Sequence, residues 1–274
     1  MMKYRYIILI VFLAVGLISV YLKQDQATIN NDKITAIIAN ANQGDIEDQF
    51  RLGRMYTEGA GLPQDYKQAV YWYTKAAEQG KVLAQIILGA MHEYGQGTHL
   101  DPKQAVYWYT KAAEQGHAEA QYKLGLAYAD GRGLAQDRNK AVYWWAKSAE
   151  QGYAAAQFLL GYAFFSGEGI NQDYQQTVIW YKKAAEQGRS DAQFGLGVIY
   201  KYGFGVPTDL AKAFAWFKLA ALNGDKDAQL EIEILIKEMA PGQIEEGKKL
   251  LKEIKSKSVT RSLSEKNSSR RTLF

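Results

Sequence analysis

Residues 81–116 read KVLAQIILGAMHEYGQGTHLDPKQAVYWYTKAAEQG, and the pattern they set recurs along the chain. From Lys81 to Tyr94, Ile86, Leu88, Gly89 and His92 stand at helical spacing, and Gly95 stops that helix. Gly95 and Gly97 allow positive φ in the turn that follows. Asp101 is placed to cap a second helix, with Pro102 at its first position, where a missing N–H costs nothing. Gln104, three residues after the cap, completes a capping-box-like pattern. Ala105, Trp108, Tyr109, Ala112 and Ala113 then share one apolar face, and Gly116 ends the unit.

The period is 36 residues. Glycines stand at 44, 80, 116, 152, 188 and 224; Leu-Gly pairs stand at Leu52-Gly53, Leu88-Gly89, Leu124-Gly125, Leu160-Gly161 and Leu196-Gly197. Trp72, Trp108, Trp144, Trp180 and Trp216 keep the same step, as do Asp65, Asp101, Asp137, Asp173 and Asp209. The units are therefore 45–80, 81–116, 117–152, 153–188 and 189–224. A glycine inside a helix costs ~1 kcal/mol relative to alanine. Its recurrence in the first helix of every unit predicts a close helix–helix approach, and the tryptophan of the second helix is the expected neighbour. One helix pair leaves apolar faces open, whereas stacked pairs bury them. The predicted fold is all-α, an α-solenoid of antiparallel helix pairs.

The pattern resembles the Sel-like repeat, a relative of the tetratricopeptide repeat. The third unit carries it most fully, in Ala120, Leu124, Gly125, Tyr128, Gly131, Gly133, Asp137, Lys140, Ala141, Trp144, Lys147, Ala149, Glu150, Gln151 and Gly152. The resemblance covers about residues 45–240 and implies a protein–protein adaptor in an envelope, secretion or host-interaction setting. Asp48 and Thr177 replace the pattern's alanine, and Leu219 replaces its lysine.

The ends read differently. Lys3 and Arg5 precede an unbroken apolar run, Ile7 to Leu22, within a segment 1–24 laid out as a signal anchor or signal peptide. Its 16 residues would span ~24 Å as a helix, and no Ala-x-Ala site follows, which favours an uncleaved inner-membrane anchor over a cleaved signal. Either reading exports the repeats, to a bacterial periplasm or beyond it. Residues 25–44 are expected to form a linker and capping helix, and 225–256 a half repeat followed by a capping helix from Gln243 to Ile254. The net charge of +4 sits in the tail 257–274, where Lys257, Arg261, Lys266, Arg270 and Arg271 oppose Glu265. That tail reads as a disordered end, and the balanced repeats offer no basic stripe for nucleic acid.

Catalytic signatures are missing. The absence of cysteine excludes a disulfide framework, a thiolate zinc site and a cysteine nucleophile. His92-Glu93 opens like a zinc-protease helix, but position 96 is Gln. His92 belongs to the aromatic column Tyr56, His92, Tyr128, Phe164, Tyr200 and reads as packing; His99 and His117 fall in unrelated columns. Lys75, Lys111, Lys147 and Lys183 read as a solvated face. No enzyme, cofactor or metal is expected.

Constant columns hold a repeat fold, so varying ones are free to bind. The first helices vary at 47, 51, 54 and 58 and their equivalents. The candidate partner-binding face comprises Arg51, Arg54, Ile87, Tyr94, Lys123, Leu159, Tyr162 and Tyr202. By the resemblance, first helices line a concave side. The expected function is a non-catalytic scaffold for protein partners at the cell envelope. Two alternatives remain at this stage: binding of envelope glycan or peptide, since tyrosine and tryptophan stack on sugars, and a secreted factor that binds host proteins.

Overall fold

The computed structural model describes residues 31–271, with side chains through Lys257. Among the described residues there are thirteen helices and no strand. Helix α1 covers 31–42. First helices of the repeats are α2 (Ile46–Glu58), α4 (Val82–Tyr94), α6 (Ala118–Asp130), α8 (Ala154–Ser166) and α10 (Ser190–Tyr202). Second helices are α3 (Tyr66–Glu78), α5 (Pro102–Glu114), α7 (Arg138–Glu150), α9 (Tyr174–Glu186) and α11 (Leu210–Leu222). α12 (Lys226–Glu238) and α13 (Pro241–Arg271) follow. The chain is an all-α solenoid of stacked helix pairs, in two compact units that divide at Ala112 and Ala113.

Local chemistry sets the helix ends. Asp65, Asp101, Asp137, Asp173 and Asp209 each accept backbone N–H bonds from the first turn of their helix, at 2.9–3.1 Å. The capping box expected from Gln104 is not made. The Asp101 N–H, which the glutamine would have taken, donates instead to the His92 carbonyl at 2.9 Å. The same bond links Asp65 to Tyr56, Asp137 to Tyr128, Asp173 to Phe164 and Asp209 to Tyr200. One aspartate thus closes the loop with its backbone and starts the next helix with its side chain. At the other end of the loop Gly95 ends α4 at φ +69°, and a Cβ on Gly97 (φ +73°) would lie 2.3 Å from the Tyr66 carbonyl oxygen.

Asp137 provides a pH test of this cap. The N–H of Lys140 holds its carboxyl below the usual range. Its contribution to stability is present above the unfolded carboxylate range, near pH ~4, and is lost as pH falls through the lowered folded value. Asparagine caps a helix equally well but does not titrate. Asp137→Asn should leave the thermal midpoint at neutral pH nearly unchanged and make it fall less steeply in acid. Parallel acid curves for the two proteins would contradict this.

In the first unit, Ile34, Ile37 and Ile38 of α1 pack against Ala41, Leu52, Met55 and Trp72, so α1 covers the outer side of α2 and α3. Asp48 is buried there, where an alanine is usual. It accepts from Asn40 Nδ2 and from an Arg51 guanidinium nitrogen, both at 2.8 Å. A second core joins Ala69, Tyr73 and Ala76 of α3, Leu88 and Met91 of α4, and Trp108 of α5.

The helix-interior glycines seat a different ring from the one expected. A Cβ on Gly53 or Gly89 would lie 2.7 or 2.5 Å from Tyr73 or Tyr109; on Gly125, Gly161 or Gly197 it would lie 2.5–2.6 Å from Trp145, Tyr181 or Phe217. The seated ring is the residue after the recurring tryptophan. Consecutive helical positions point ~100° apart, so the two aromatics diverge. One fills the glycine seat inside its own repeat. The other, as with Trp108 against α3 and Trp216 against α9, reaches the second helix of the repeat before.

In the second unit, Ala141, Trp145, Ala149, Ala156 and Leu160 form one core, and Tyr181, Leu196, Ile199, Trp216 and Leu219 another. Tyr181 lies between two glycines, since a Cβ on Gly195 would stand 2.5 Å from its Cε2; burial pushes its phenol far up. α12 closes on α11 through Ala228, Ile232, Leu235 and Met239. α13 continues helically past Ile254 to Arg271. No glycine or proline follows Gly247 to stop it. Among the described residues no helix is long and apolar enough to cross a membrane. The apolar run Ile7 to Leu22 lies outside the described residues.

Candidate partner-binding surface

The varying columns divide by environment. In the first unit Arg51 and Arg54 are exposed, and Tyr94 is 69% exposed at the end of α4. Arg51 also carries the buried Asp48 carboxylate, and Arg54 lies 3.7 Å from Glu58, so both arginines have structural partners. Ile87 is half-buried and packs against the core of α3, α4 and α5. In the second unit Tyr162 and Tyr202 are 46% and 58% exposed. Lys123 is half-buried, and Leu159 packs against the core that includes Trp145 and Leu160. The open part of the predicted face is therefore its tyrosines. Stacked neighbours take up the aliphatic positions.

Sequence reasoning missed a polar column that orders these helices. Gln49, Gln85, Gln121, Gln157 and Gln193 are all buried. Each donates its Nε2 to the carbonyl of Ala41, Ala77, Ala113, Ala149 or Ala185 at 3.0–3.2 Å, at the C-terminal end of the preceding helix. The oxygens of Gln49, Gln121, Gln157 and Gln193 accept from Gln79, Gln151, Gln187 and Asn223 at 2.7–2.9 Å. One amide thus ties three chain segments and fixes which face of the first helix stays open. Its 36-residue spacing was the available signal.

The recurring lysines are not simply solvated. Lys75, Lys111 and Lys147 lie 5.0, 5.7 and 5.1 Å from the ring centroids of Tyr71, Tyr107 and Tyr143, one turn earlier on the same helix. Those tyrosines are about half exposed, and each sets its ring edge-on to the neighbouring tryptophan, with centroids 5.0, 4.9 and 5.1 Å apart.

His92 is half-buried, with Nδ1 buried and without a hydrogen-bond partner, and desolvation lowers its pKa. That environment suits a neutral packing residue. Among the described residues no group of three or more histidine, aspartate or glutamate side chains could hold a metal ion.

The model of the Sel1 repeat matches residues 46–81, 82–117, 118–153, 154–188 and 190–225, five consecutive copies. The chain belongs to the Sel1 repeat family. Sel1 repeat proteins are generally protein-interaction scaffolds. Among solved structures, this Sel1 chain is similar to c5321, a protective antigen present in uropathogenic Escherichia coli strains. The identity is 37% and the TM-score 0.70, over 73% of this chain and 43% of that one. It is also similar to a Sel1 repeat protein from Oxalobacter formigenes, at 36% identity and TM-score 0.65, over 68% of this chain and 76% of that one. This chain thus spans less than half of the c5321 chain. No curated protein matches it.

Proposed function

We propose that this Sel1 repeat protein is a non-catalytic adaptor that binds protein partners at the bacterial cell envelope through the varying columns of its first helices. The observation that carries the reading is the exposure of Tyr94, Tyr162 and Tyr202 on helices whose other columns are committed to packing. An exposed tyrosine offers a large apolar face and a polar tip on a stiff side chain, the kind of anchor that dominates interfaces. The envelope setting draws support from the charged and apolar N-terminal segment, Lys3 to Leu22, read as an anchor that leaves the repeats in the periplasm. It accords with the description of the E. coli relative as a protective antigen.

The test is capture from solubilised envelope with the tagged full chain. Tyr162→Asp together with Tyr202→Asp should reduce partner retention about tenfold or more, the scale of losing interface anchors. Helical content and melting temperature should stay unchanged, because both side chains are about half exposed and neither packs in the cores of the second unit. Leu159 is left intact, since an aspartate there would strike the core. Undiminished retention by the double variant would remove the varying columns from the binding site.

A further inference from the structure

α12 is a first helix that lacks its second helix. In the repeats, the residue equivalent to Leu230 packs on a ring from the second helix of its own unit. Phe50 meets Tyr73 with ring centroids 5.6 Å apart, and Phe158 meets Tyr181 and Phe194 meets Phe217, each at 5.4 Å. Residues 59–65 give the chain room to turn from α2 back onto it, whereas only Met239 and Ala240 separate α12 from α13. α13 runs back along α11 instead. Its Leu251 and Ile254 pack on the core that contains Leu219 and Trp216, and a Cβ on Gly247 would lie 2.7 Å from Phe214 Cδ1. Leu230 and Ile234 are left 62% and 42% exposed. Glu233 stands where the first helices of the repeats carry the glycine that seats a ring, so this face is not shaped for the second helix of another repeat.

The charges around the two apolar residues are sorted by side. At ~100° per residue, Leu230 and Ile234 stand ~40° apart, on the side of α12 away from the Ala228, Ile232, Leu235 and Met239 that it buries. Lys226 and Lys237 fall within ~20° of each other on one flank of the pair, and Asp227 and Glu238 within ~20° of each other on the opposite flank. All four are exposed. Glu233 lies on the basic flank between the lysines and accepts from Gln229 Nε2 at 3.2 Å. The apolar stripe therefore has a basic edge and an acidic edge, each marked at both ends of the helix.

A face of that kind complements itself under one arrangement. A two-fold axis parallel to the helix exchanges the edges, so Lys226 comes opposite the partner subunit's Asp227 and Lys237 opposite the partner subunit's Glu238. Leu230 and Ile234 then meet the same stripe on the other copy. A two-fold axis across the helices would run them antiparallel and set lysine against lysine and acid against acid, which like-charge repulsion disfavours. We propose that α12 is the interface of a homodimer in which two copies of the chain pack this helix side by side and parallel. The helix is ~20 Å long, so the contact is smaller than a standard interface and the dimer is weak. The inference goes beyond the adaptor reading and does not depend on it, since neither Tyr162 nor Tyr202 belongs to this face.

The test is sedimentation equilibrium of the purified full chain in a density-matched detergent, over roughly 1–500 μM, a range suited to a weak contact. Wild type should pass from monomer to dimer within that range. Leu230→Glu with Ile234→Glu should weaken the dimer about tenfold or more, by removing its apolar stripe. Lys226→Glu with Lys237→Glu makes both edges acidic, and Asp227→Lys with Glu238→Lys makes both basic. Each charge variant alone should associate less than wild type, and an equal mixture of the two should recover a dimer. Circular dichroism should show every variant folded, because all the replaced side chains are exposed. A wild type that stays monomeric throughout, or association that the Leu230 and Ile234 substitutions leave unchanged, would overturn the interface. Charge variants that dimerise as wild type does, or a mixture that recovers nothing, would overturn the edge-to-edge pairing on which it rests.

Discussion

Gly125→Ala is expected to lower stability by ~2 kcal/mol, while the same change at Gly242 is expected to raise it by ~0.5 kcal/mol. Both glycines are helical, and alanine favours a helix by ~1 kcal/mol wherever space allows. At Gly242, at the start of α13, an added Cβ meets nothing within 4 Å. At Gly125 it would lie 2.5 Å from both Cδ1 and Nε1 of Trp145 and 3.2 Å from the Ala141 carbonyl oxygen. Trp145 is 7% exposed and surrounded by core, so its ring cannot yield without moving α7. Overpacking of ~1–3 kcal/mol therefore exceeds the helical gain. Urea unfolding followed by circular dichroism would report the two midpoints. Shifts of the same sign would show that the repeated glycine is not a ring seat.

Gln157→Leu is expected to cost ~1–3 kcal/mol, while Gln229→Leu should stay within ~0.5 kcal/mol of wild type. The Gln157 amide donates to the Ala149 carbonyl at 3.1 Å and accepts from Gln187 at 2.8 Å, so leucine removes two bonds at a site only 4% exposed. Ala149 keeps the Gly152 N–H at 3.0 Å, and Gln187 keeps the Gly152 carbonyl, which limits the loss. Gln229 continues the same 36-residue column, but it is exposed and its amide bonds to Glu233 on its own helix. Thermal melts of the two variants separate a position that ties segments together from one that only looks like it. Equal destabilisation by both would contradict this division.

Much of this architecture was legible because a strict period amplifies weak local signals. Five aspartates at one step identify a cap more firmly than any one of them. The loss came where the period alone cannot rank neighbours. Trp144 and Trp145 are both aromatic and adjacent, and only the helix crossing decides that the second meets Gly125. Glutamine in a helix ordinarily reads as solvent-facing, so the step of 36 alone does not mark the amide column as buried. At the candidate surface, variation was visible in the sequence but depth was not. Ile87 and Leu159 vary like Tyr94 and Tyr162, yet they pack on core clusters because a neighbouring helix lies over them. In the sequence Leu219 reads only as a departure from the repeat. In the structure it marks where α13 lies on α11, a contact outside the period and thus beyond its reach.

The adaptor reading is tested most directly by placing a photo-crosslinking phenylalanine analogue at Tyr162 of the full chain in the cells that produce it. An analogue at Tyr143, which is 53% exposed against 46% for Tyr162 but lies on the outer face of a second helix, is the control. A discrete crosslinked protein adduct is expected from position 162 and none from position 143. Adducts from position 143 alone, or from neither position, would contradict binding through the varying columns of the first helices.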